Sequence, residues 1–216
     1  MTEKILLLHG LWLHPLAMRW LQQQFNAAGY EVVAPVYHSI STNSAHNVSL
    51  VYKAVQRYAL PTERLHIVAH SLGGIVALQM LNAYPDLPPG RLVTLGTPAK
   101  GSLIAQRLAK YSFCRPLIGR SFEGGLDGQG LPETIRHEWG ALAGNKPIGV
   151  GRLFGGIAET NDGVVALSET YHAAQTAHQI LPLSHSSMLF SALVAQECVH
   201  FIRTGRFSST AATAQA

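Results

Sequence analysis

Residues 65–81, LHIVAHSLGGIVALQML, indicate the architecture of the chain more clearly than any other segment. The first half of this stretch is a run of apolar and β-branched residues, which is typical of a strand buried on both faces of a parallel sheet. Its second half has the composition of a helix, which we expect to end before Pro85 because proline cannot continue one. No linker separates the halves, so we predict a strand that turns directly into a helix at Ser71.

The rest of the chain repeats this alternation of strand and helix. Strands are predicted from short runs rich in Leu, Ile and Val at residues 4–10, 31–37, 91–97, 151–158 and 178–184, in addition to 64–70. Helices are predicted at 15–28, at 46–59, after Ser71 as far as Tyr84, and after Ser186 as far as about Thr204. The pattern predicts an α/β fold of about six mostly parallel strands, with right-handed crossovers and helices on both faces.

Composition and charge limit the classes of function. The 216 residues are 47% apolar and 13% charged, which predicts a compact globular chain. The net charge of +4 is concentrated in residues 100–152, which hold eight Lys/Arg and four Asp/Glu. There is no block of like charges and no arginine-rich helix, so nucleic acid is not an expected partner. The basic excess indicates either an ordinary surface or a patch for a membrane or an anionic ligand.

Cysteine usage and hydropathy bear on the compartment. Cys114 and Cys198 are far apart and lack metal-ligand spacing, so we expect two free thiols in a reducing compartment, with one disulfide as the alternative. The apolar run near the N-terminus is too short for a signal core and lacks a small-residue cleavage site. No stretch is long enough to span a bilayer, so no integral membrane segment is expected. Together these features favour a cytoplasmic protein.

One long connection interrupts the alternation. Residues 100–147 contain helical fragments and a glycine-rich segment at 124–130, and we predict no strand within them. So long a connection in a compact domain is usually functional or a small subdomain. We expect a small helical cap over Ser71, with a static subdomain as the alternative. The predicted organisation is a single domain at 1–207, containing this cap, and a flexible tail at 208–216.

Ser71 lies in the pattern small-x-Ser-x-Gly, formed by Ala69, His70, Ser71, Leu72 and Gly73. At a strand-to-helix turn this pattern is the nucleophile elbow, in which a strained backbone lifts the hydroxyl above the sheet and the neighbours two residues away must be small. On these residues the chain resembles the α/β-hydrolase superfamily, and within it the compact bacterial lipases and carboxylesterases. The resemblance extends from Ile5 to about Phe207. Ala69 departs from the usual glycine, and the chain begins at the third strand of the full fold.

The resemblance implies a catalytic triad in the order serine, acid, histidine. NDGVV at 161–165 and SHSSML at 184–189 look like the acid and histidine segments of these enzymes. Asp162 is therefore the predicted acid and His185 the predicted base.

The residues alone leave alternatives at both positions. Asp162 is also suited to a simple turn, and Glu159 is a possible substitute acid. His178 and His200 are the main alternatives among the 11 histidines, but His178 opens the last predicted strand and His200 lies inside the final helix. We favour His185 because the loops beyond strand C-termini hold the chemistry of such sheets.

The loop HGLW at 9–12 and the turn after Ser71 are expected to bind the oxyanion. The resemblance assigns one backbone N–H donor to Leu72 and the other to Leu11, with His9 fixing the loop by hydrogen bonding. Trp12, Leu13 and Met188 flank these segments. Each is expected either to line an acyl pocket or to belong to the core.

The sequence therefore predicts a serine hydrolase of carboxylic esters with an apolar acyl group, acting through an acyl-enzyme. No metal or other cofactor is expected, since no His/Cys/Asp cluster has ligand spacing and this chemistry needs none. A thioesterase or acyltransferase with the same triad is the closest alternative. A non-catalytic hydrolase-fold protein that binds a ligand or partner is the alternative from another class.

Overall fold

The computed structural model describes residues 3–208, which form an α/β fold around one sheet. The strands are β1 (Glu3–Leu8), β2 (Glu31–Val33), β3 (Arg64–His70), β4 (Arg91–Leu95), β5 (Glu138–Gly144) and β6 (Ala177–Leu181). The helices are α1 (Arg19–Ala27), α2 (Ser44–Tyr58), α3 (Leu72–Ala83), α4 (Leu103–Ala109), α5 (Arg115–Ile118) and α6 (Ala192–Thr204). The strand order is β2-β1-β3-β4-β5-β6, and every neighbouring pair is parallel. The predicted fold class is confirmed.

Alternate residues of the central strands serve two apolar cores, one on each face of the sheet. In β1, Ile5 and Leu7 pack in the core that contains Phe25 of α1 and Phe201 of α6. Leu6 and Leu8 pack in the opposite core with residues of α2 and α3. This explains why the strands read as continuous apolar runs, because both faces are covered by helices.

The fifth strand lies where the sequence predicted none. Residues 138–144 form β5, between β4 and β6, whereas predicted strand 151–158 is a 3₁₀ helix (Val150–Phe154) followed by a loop. The sequence EWGALAG has no β-branched residue, and Ala and Leu favour helices, so its strand form depends on tertiary packing. Trp139 donates its indole N–H to Thr94 Oγ1 at 2.9 Å. A side chain at Gly140 would lie 2.7 Å from the Phe201 ring, so only glycine fits there.

The long connection is consequently shorter than the sequence predicted. It runs between Leu95 and Glu138, carries α4 and α5, and is called the cap below. The prediction that 100–147 lack a strand is wrong, because its last part is β5. Of the predicted tail 208–216, only Ser208 is described, and it donates its backbone N–H to Glu197 Oε2 at 2.8 Å. The other tail residues lie outside the described range.

Both cysteines of the chain are free thiols. Cys198 is buried and Cys114 is partly buried. Within residues 3–208, no helix combines the length and the hydropathy needed to cross a bilayer.

Candidate active site

Ser71 stands at the junction of β3 and α3 in a strained conformation. Its φ is 55° and its ψ is −124°, a region that non-glycine residues rarely occupy. Its N–H donates to the Leu95 carbonyl at 2.9 Å, and its carbonyl accepts from Thr97 Oγ1 at 3.0 Å. Strand β4 and the loop after it therefore hold the strained backbone from the side.

The residues near Ser71 are small because backbone segments approach closely. A side-chain carbon at Gly73 would lie 2.6 Å from the His9 carbonyl oxygen. One at Gly10 would lie 2.9 Å from the Ser71 Cβ. Ala69 is completely buried in β3 beside β1 and β4. Replacing the usual glycine by alanine is thus compatible with this packing.

Asp162 and His185 form a buried pair beyond the C-terminal ends of β5 and β6. His185 Nδ1 lies 2.7 Å from Asp162 Oδ2, and the carboxylate is 1% exposed. The other carboxylate oxygen accepts the backbone N–H groups of Val164 at 3.0 Å and Val165 at 2.8 Å. A backbone bond from His185 N–H to the Asp162 carbonyl, at 2.8 Å, joins the two loops. With Nδ1 held by the carboxylate, Nε2 is the ring nitrogen of His185 that remains for exchange of a proton.

The alternative residues occupy other surroundings. Glu159 is exposed and borders a separate surface depression. His178 lies on β6, hydrogen-bonded to Thr170 at 2.8 Å, and burial lowers its pKa to about 4. His200 lies within α6. None of these three lines the cavity that contains Ser71.

That cavity, of about 320 Å³, contains both Ser71 and His185. Its walls are mainly apolar. The cap supplies the largest contribution, from Ile104, Ala105, Leu108, Ile118 and Leu126. Leu11, Trp12 and Leu13 form another part of the wall. Of the predicted pocket residues, Trp12 and Leu13 thus border the cavity.

Met188 does not border the cavity. It is completely buried in the core with α1 and α6, and its terminal methyl lies 2.7 Å from where a Gly144 side chain would begin. In the 3₁₀ turn Ser187–Phe190, Met188 packs into the core, while Leu189 and Phe190 line the cavity. Met188 therefore fills the core, which was the alternative reading of this residue.

The loop after β1 is shaped for close approach to Ser71. Leu13 N–H donates to the Gly10 carbonyl at 3.3 Å, and Trp12 between them has a φ of 61°. His9 is buried, its Nδ1 lies 3.0 Å from the Gly10 carbonyl, and its ring stacks on Tyr37 at 4.0 Å. The Tyr37 hydroxyl donates to the His9 carbonyl. These contacts fix the loop that carries Leu11, while burial lowers the pKa of His9.

Three residues of the site were not predicted from the sequence. Gly96 has a φ of 55°, and a side chain there would lie 2.9 Å from Asp162 Oδ2 and 3.0 Å from His185 Nδ1. Thr97 holds the Ser71 carbonyl. His70 is 2% exposed, borders the cavity and lies 3.1 Å through Nε2 from the His185 carbonyl oxygen. For Gly96, the available signal was a glycine directly after a strand. That signal points to the site only when the order of the strands in the sheet is known.

Among the residues the structure describes, no group of three or more His, Cys, Asp or Glu side chains is arranged to hold a metal ion. The chemistry available is that of a hydroxyl, an imidazole paired with a carboxylate, and backbone N–H groups.

Comparison with known proteins agrees with this architecture. A family model described as "Alpha/beta hydrolase family" matches residues 5–197. No curated protein sequence matches the chain.

Solved structures with the same fold are distant in sequence. The mature form of the lipase BlEst2 from Bacillus licheniformis has a TM-score of 0.72 at 22% identity, over 94% of this chain and 91% of that chain. The metagenomic carboxyl esterase MGS0156 has a TM-score of 0.64 at 19% identity, over 85% and 64%. Polyneuridine aldehyde esterase has a TM-score of 0.62 at 10% identity, over 93% and 99%. At these identities the likeness shows the fold.

Proposed function

We propose that this chain, which belongs to the alpha/beta hydrolase family, is a serine hydrolase of carboxylic esters. The observation that carries the proposal is the meeting of a strained Ser71 and an aspartate-paired His185 in one apolar cavity. A serine hydroxyl is a weak nucleophile unless a base takes its proton, and a base needs a group that fixes its tautomer. Asp162 supplies that group, because its carboxylate accepts the Nδ1 proton of His185.

In the proposed reaction, Ser71 Oγ attacks the acyl carbonyl while His185 Nε2 takes its proton. The backbone N–H groups of Leu11 and Leu72 donate to the oxygen that becomes negative. His185 then gives the proton to the departing alcohol, which leaves an acyl-enzyme on Ser71. Water, activated by the same histidine, releases the acid and restores the enzyme.

The cavity supports esters with an apolar acyl group of moderate size. Its volume lies at the lower end of the range for small-molecule sites, and its walls are formed mainly by aliphatic side chains and by Trp12, Phe154 and Phe190. A rate series on p-nitrophenyl esters and on acyl thioesters of increasing length determines the substrate class. Faster turnover of thioesters would favour a thioesterase over the esterase proposed here.

The decisive experiment is covalent labelling of Ser71. A fluorophosphonate probe is expected to add one adduct, located at Ser71 by peptide mass spectrometry. Ser71→Ala is expected to lose both the adduct and ester turnover, since Ser71 supplies the cavity hydroxyl that stands on the strained elbow. Labelling of a different residue in the wild type, or undiminished turnover by Ser71→Ala, would show the proposal to be wrong.

Two further variants identify the acid. Asp162→Asn is expected to lower kcat by on the order of 10⁴ if the pair acts as in serine proteases. Glu159→Gln is the matched control, because Glu159 is an exposed carboxylate on the same loop and should leave kcat nearly unchanged. The reverse result would transfer the role of the acid to Glu159.

A further inference from the structure

The outer face of the cap exposes aromatic side chains that no part of the described chain covers. Phe113 is 80% exposed and Tyr111 is 56% exposed, with their ring centres 5.8 Å apart. Residues 110–113 and 115–117 are all exposed, and we call them the outer cap face. Exposure of neighbouring large apolar groups marks an interaction surface more often than an isolated exposed residue does.

The same segment is strongly basic. Residues 100–122 hold five Lys/Arg and no Asp or Glu. The ion pairs found among residues 3–208 involve none of these five. Lys110 and Arg115 flank the exposed rings, so the outer cap face combines positive charge with aromatic surface. Two of the five basic residues therefore belong to this face, and Arg107 borders the same groove as its rings.

The outer cap face lies close to the proposed catalytic cavity. A surface groove beside this face is lined by Arg107, Lys110, Tyr111 and Phe113, together with Leu108 and Phe154. Leu108 and Phe154 also line the cavity that contains Ser71. These two side chains therefore border both the groove and the cavity.

We infer that the outer cap face docks on an anionic lipid surface. Aromatic rings are stable at the boundary between headgroups and acyl chains, and Lys and Arg are attracted to anionic headgroups. A second copy of the chain is a poor occupant, because two such faces would bring like charges together. Nucleic acid is also a poor occupant, because single strands stack successive bases on rings spaced along a groove, whereas here both rings lie on one short turn.

Docking would place the cavity beside a supply of lipid esters, and only this consequence depends on the proposed function. Binding itself does not depend on catalysis. It is measured with the Ser71→Ala variant, while turnover of a short water-soluble ester is measured with Ser71 intact. Failure of one measurement is therefore distinguishable from failure of the other.

The experiment is co-sedimentation with two kinds of vesicle, phosphatidylcholine alone and phosphatidylcholine in which about one lipid in three is phosphatidylglycerol. We expect binding to the anionic vesicles, and a decrease of that binding as salt increases. The double variant Lys110→Gln/Arg115→Gln is expected to lower the partition coefficient at least tenfold, since each removed charge contributes about fivefold. Phe113→Ser is expected to lower it further at high salt, where the apolar contribution dominates.

The matched control is the double variant Arg57→Gln/Tyr58→Ser. Arg57 and Tyr58 are a neighbouring basic and aromatic residue at the end of α2, and Tyr58 is 50% exposed. This control should bind anionic vesicles as the parent does. With Ser71 intact, each surface variant should retain the wild-type turnover of the short ester, which also shows that it is folded. If Phe113→Ser does not fold, the double charge variant still tests the proposal.

Three results would each overturn the inference. The first is equal binding to neutral and anionic vesicles. The second is anionic binding that survives Lys110→Gln/Arg115→Gln. The third is binding to heparin or to a duplex oligonucleotide without binding to vesicles, which would identify the face as a general polyanion surface.

Discussion

At the scale of single residues, His70 links the elbow to His185. Its Nε2 lies 3.1 Å from the His185 carbonyl oxygen, which can only accept, so Nε2 carries the proton and donates. Its Nδ1 is then an acceptor, and it has no hydrogen-bond partner among residues 3–208. Burial lowers the pKa of His70 to about 3, so the ring is neutral at ordinary pH. We interpret His70 as a positioning residue that fixes the backbone of His185.

Replacement of His70 tests this role. His70→Ala is expected to lower kcat by roughly tenfold with little change in KM, because a loosened His185 affects proton transfer more than substrate binding. His70→Gln, whose amide N–H can still donate, is expected to recover much of the loss. The measurements are kcat and KM for one ester, with a thermal midpoint for each variant.

A purely structural role would give a different pattern. Glutamine would then be as damaging as alanine, and the loss of rate would follow the loss of thermal stability. An increase in KM with an unchanged kcat would assign His70 to the wall of the cavity instead.

At the scale of elements, the cap and the acid loop are joined by one buried carboxylate. Glu169 is 4% exposed and accepts the backbone N–H of Leu103, the first residue of α4, and that of Ala166 at 2.6 Å. Ala166 follows directly after Val165, which donates to Asp162. The base of the cap and the loop of the proposed acid therefore share one anchor. Burial raises the pKa of Glu169, because the charged carboxylate loses contact with water. The two N–H donors offset part of this cost by hydrogen bonding to the charged form.

Helix α4 offers a direct test of the cap's role in selecting substrates. Ile104 lines the cavity, so Ile104→Ala should widen it and shift the acyl-length profile toward longer or bulkier esters. Leu103→Ala is the matched control, because Leu103 precedes it on the same helix, is 37% exposed and does not border the cavity. The measurement is kcat/KM across a series of p-nitrophenyl esters.

An unchanged profile for Ile104→Ala would mean that α4 only covers the core. A similar shift from Leu103→Ala would point to a general loosening of the cap. Either result would contradict a selective cavity wall.

Elements with local signals were predictable from the sequence, and β5 was not. The strand before Ser71 and the helix after it are marked by β-branched residues, a small-residue turn and Pro85. Strand β5 carries no such mark, since its form is set by Trp139 and Gly140 packing against residues distant in sequence. In the candidate site, too, residues whose role depends on contacts distant in sequence could not be predicted. Ser71 and His185 follow strand ends, whereas Gly96 acts only because β4 lies beside the loops of Asp162 and His185.

At the scale of the whole molecule, buried histidines make stability depend on pH. Burial lowers the pKa of His66 and His178 to about 4 and that of His70 to about 3, from an ordinary value of 6.5. The unfolded chain therefore binds more protons than the folded chain once the pH falls below about 6.5. The stabilisation from these neutral histidines is present above pH 6.5 and is lost progressively as the pH approaches their folded pKa values.

Urea unfolding at pH 7.5 and pH 5 measures this effect. We expect the free energy of unfolding to be lower at pH 5, by about 2 kcal/mol for a fully buried histidine such as His66. His66→Asn removes one titrating group while keeping an acceptor for the Arg91 N–H, which His66 Nδ1 accepts at 3.1 Å. The difference between the two pH values should shrink in that variant. Equal stability of the wild type at both pH values would contradict the prediction.

The all-parallel sheet also has a consequence for how the chain reaches its folded state. Neighbouring strands pair residues far apart in sequence, as in Ile67 with Leu92, Lys4 with Leu65 and Arg91 with Glu138. No two neighbouring strands among residues 3–208 are joined by a tight hairpin that could form early, and loop-closure entropy opposes every pairing. Such a topology folds slowly, and its apolar strands stay unpaired for longer during refolding. Recovery from denaturant should consequently fall as protein concentration rises, because intermolecular strand pairing competes with closure of the sheet.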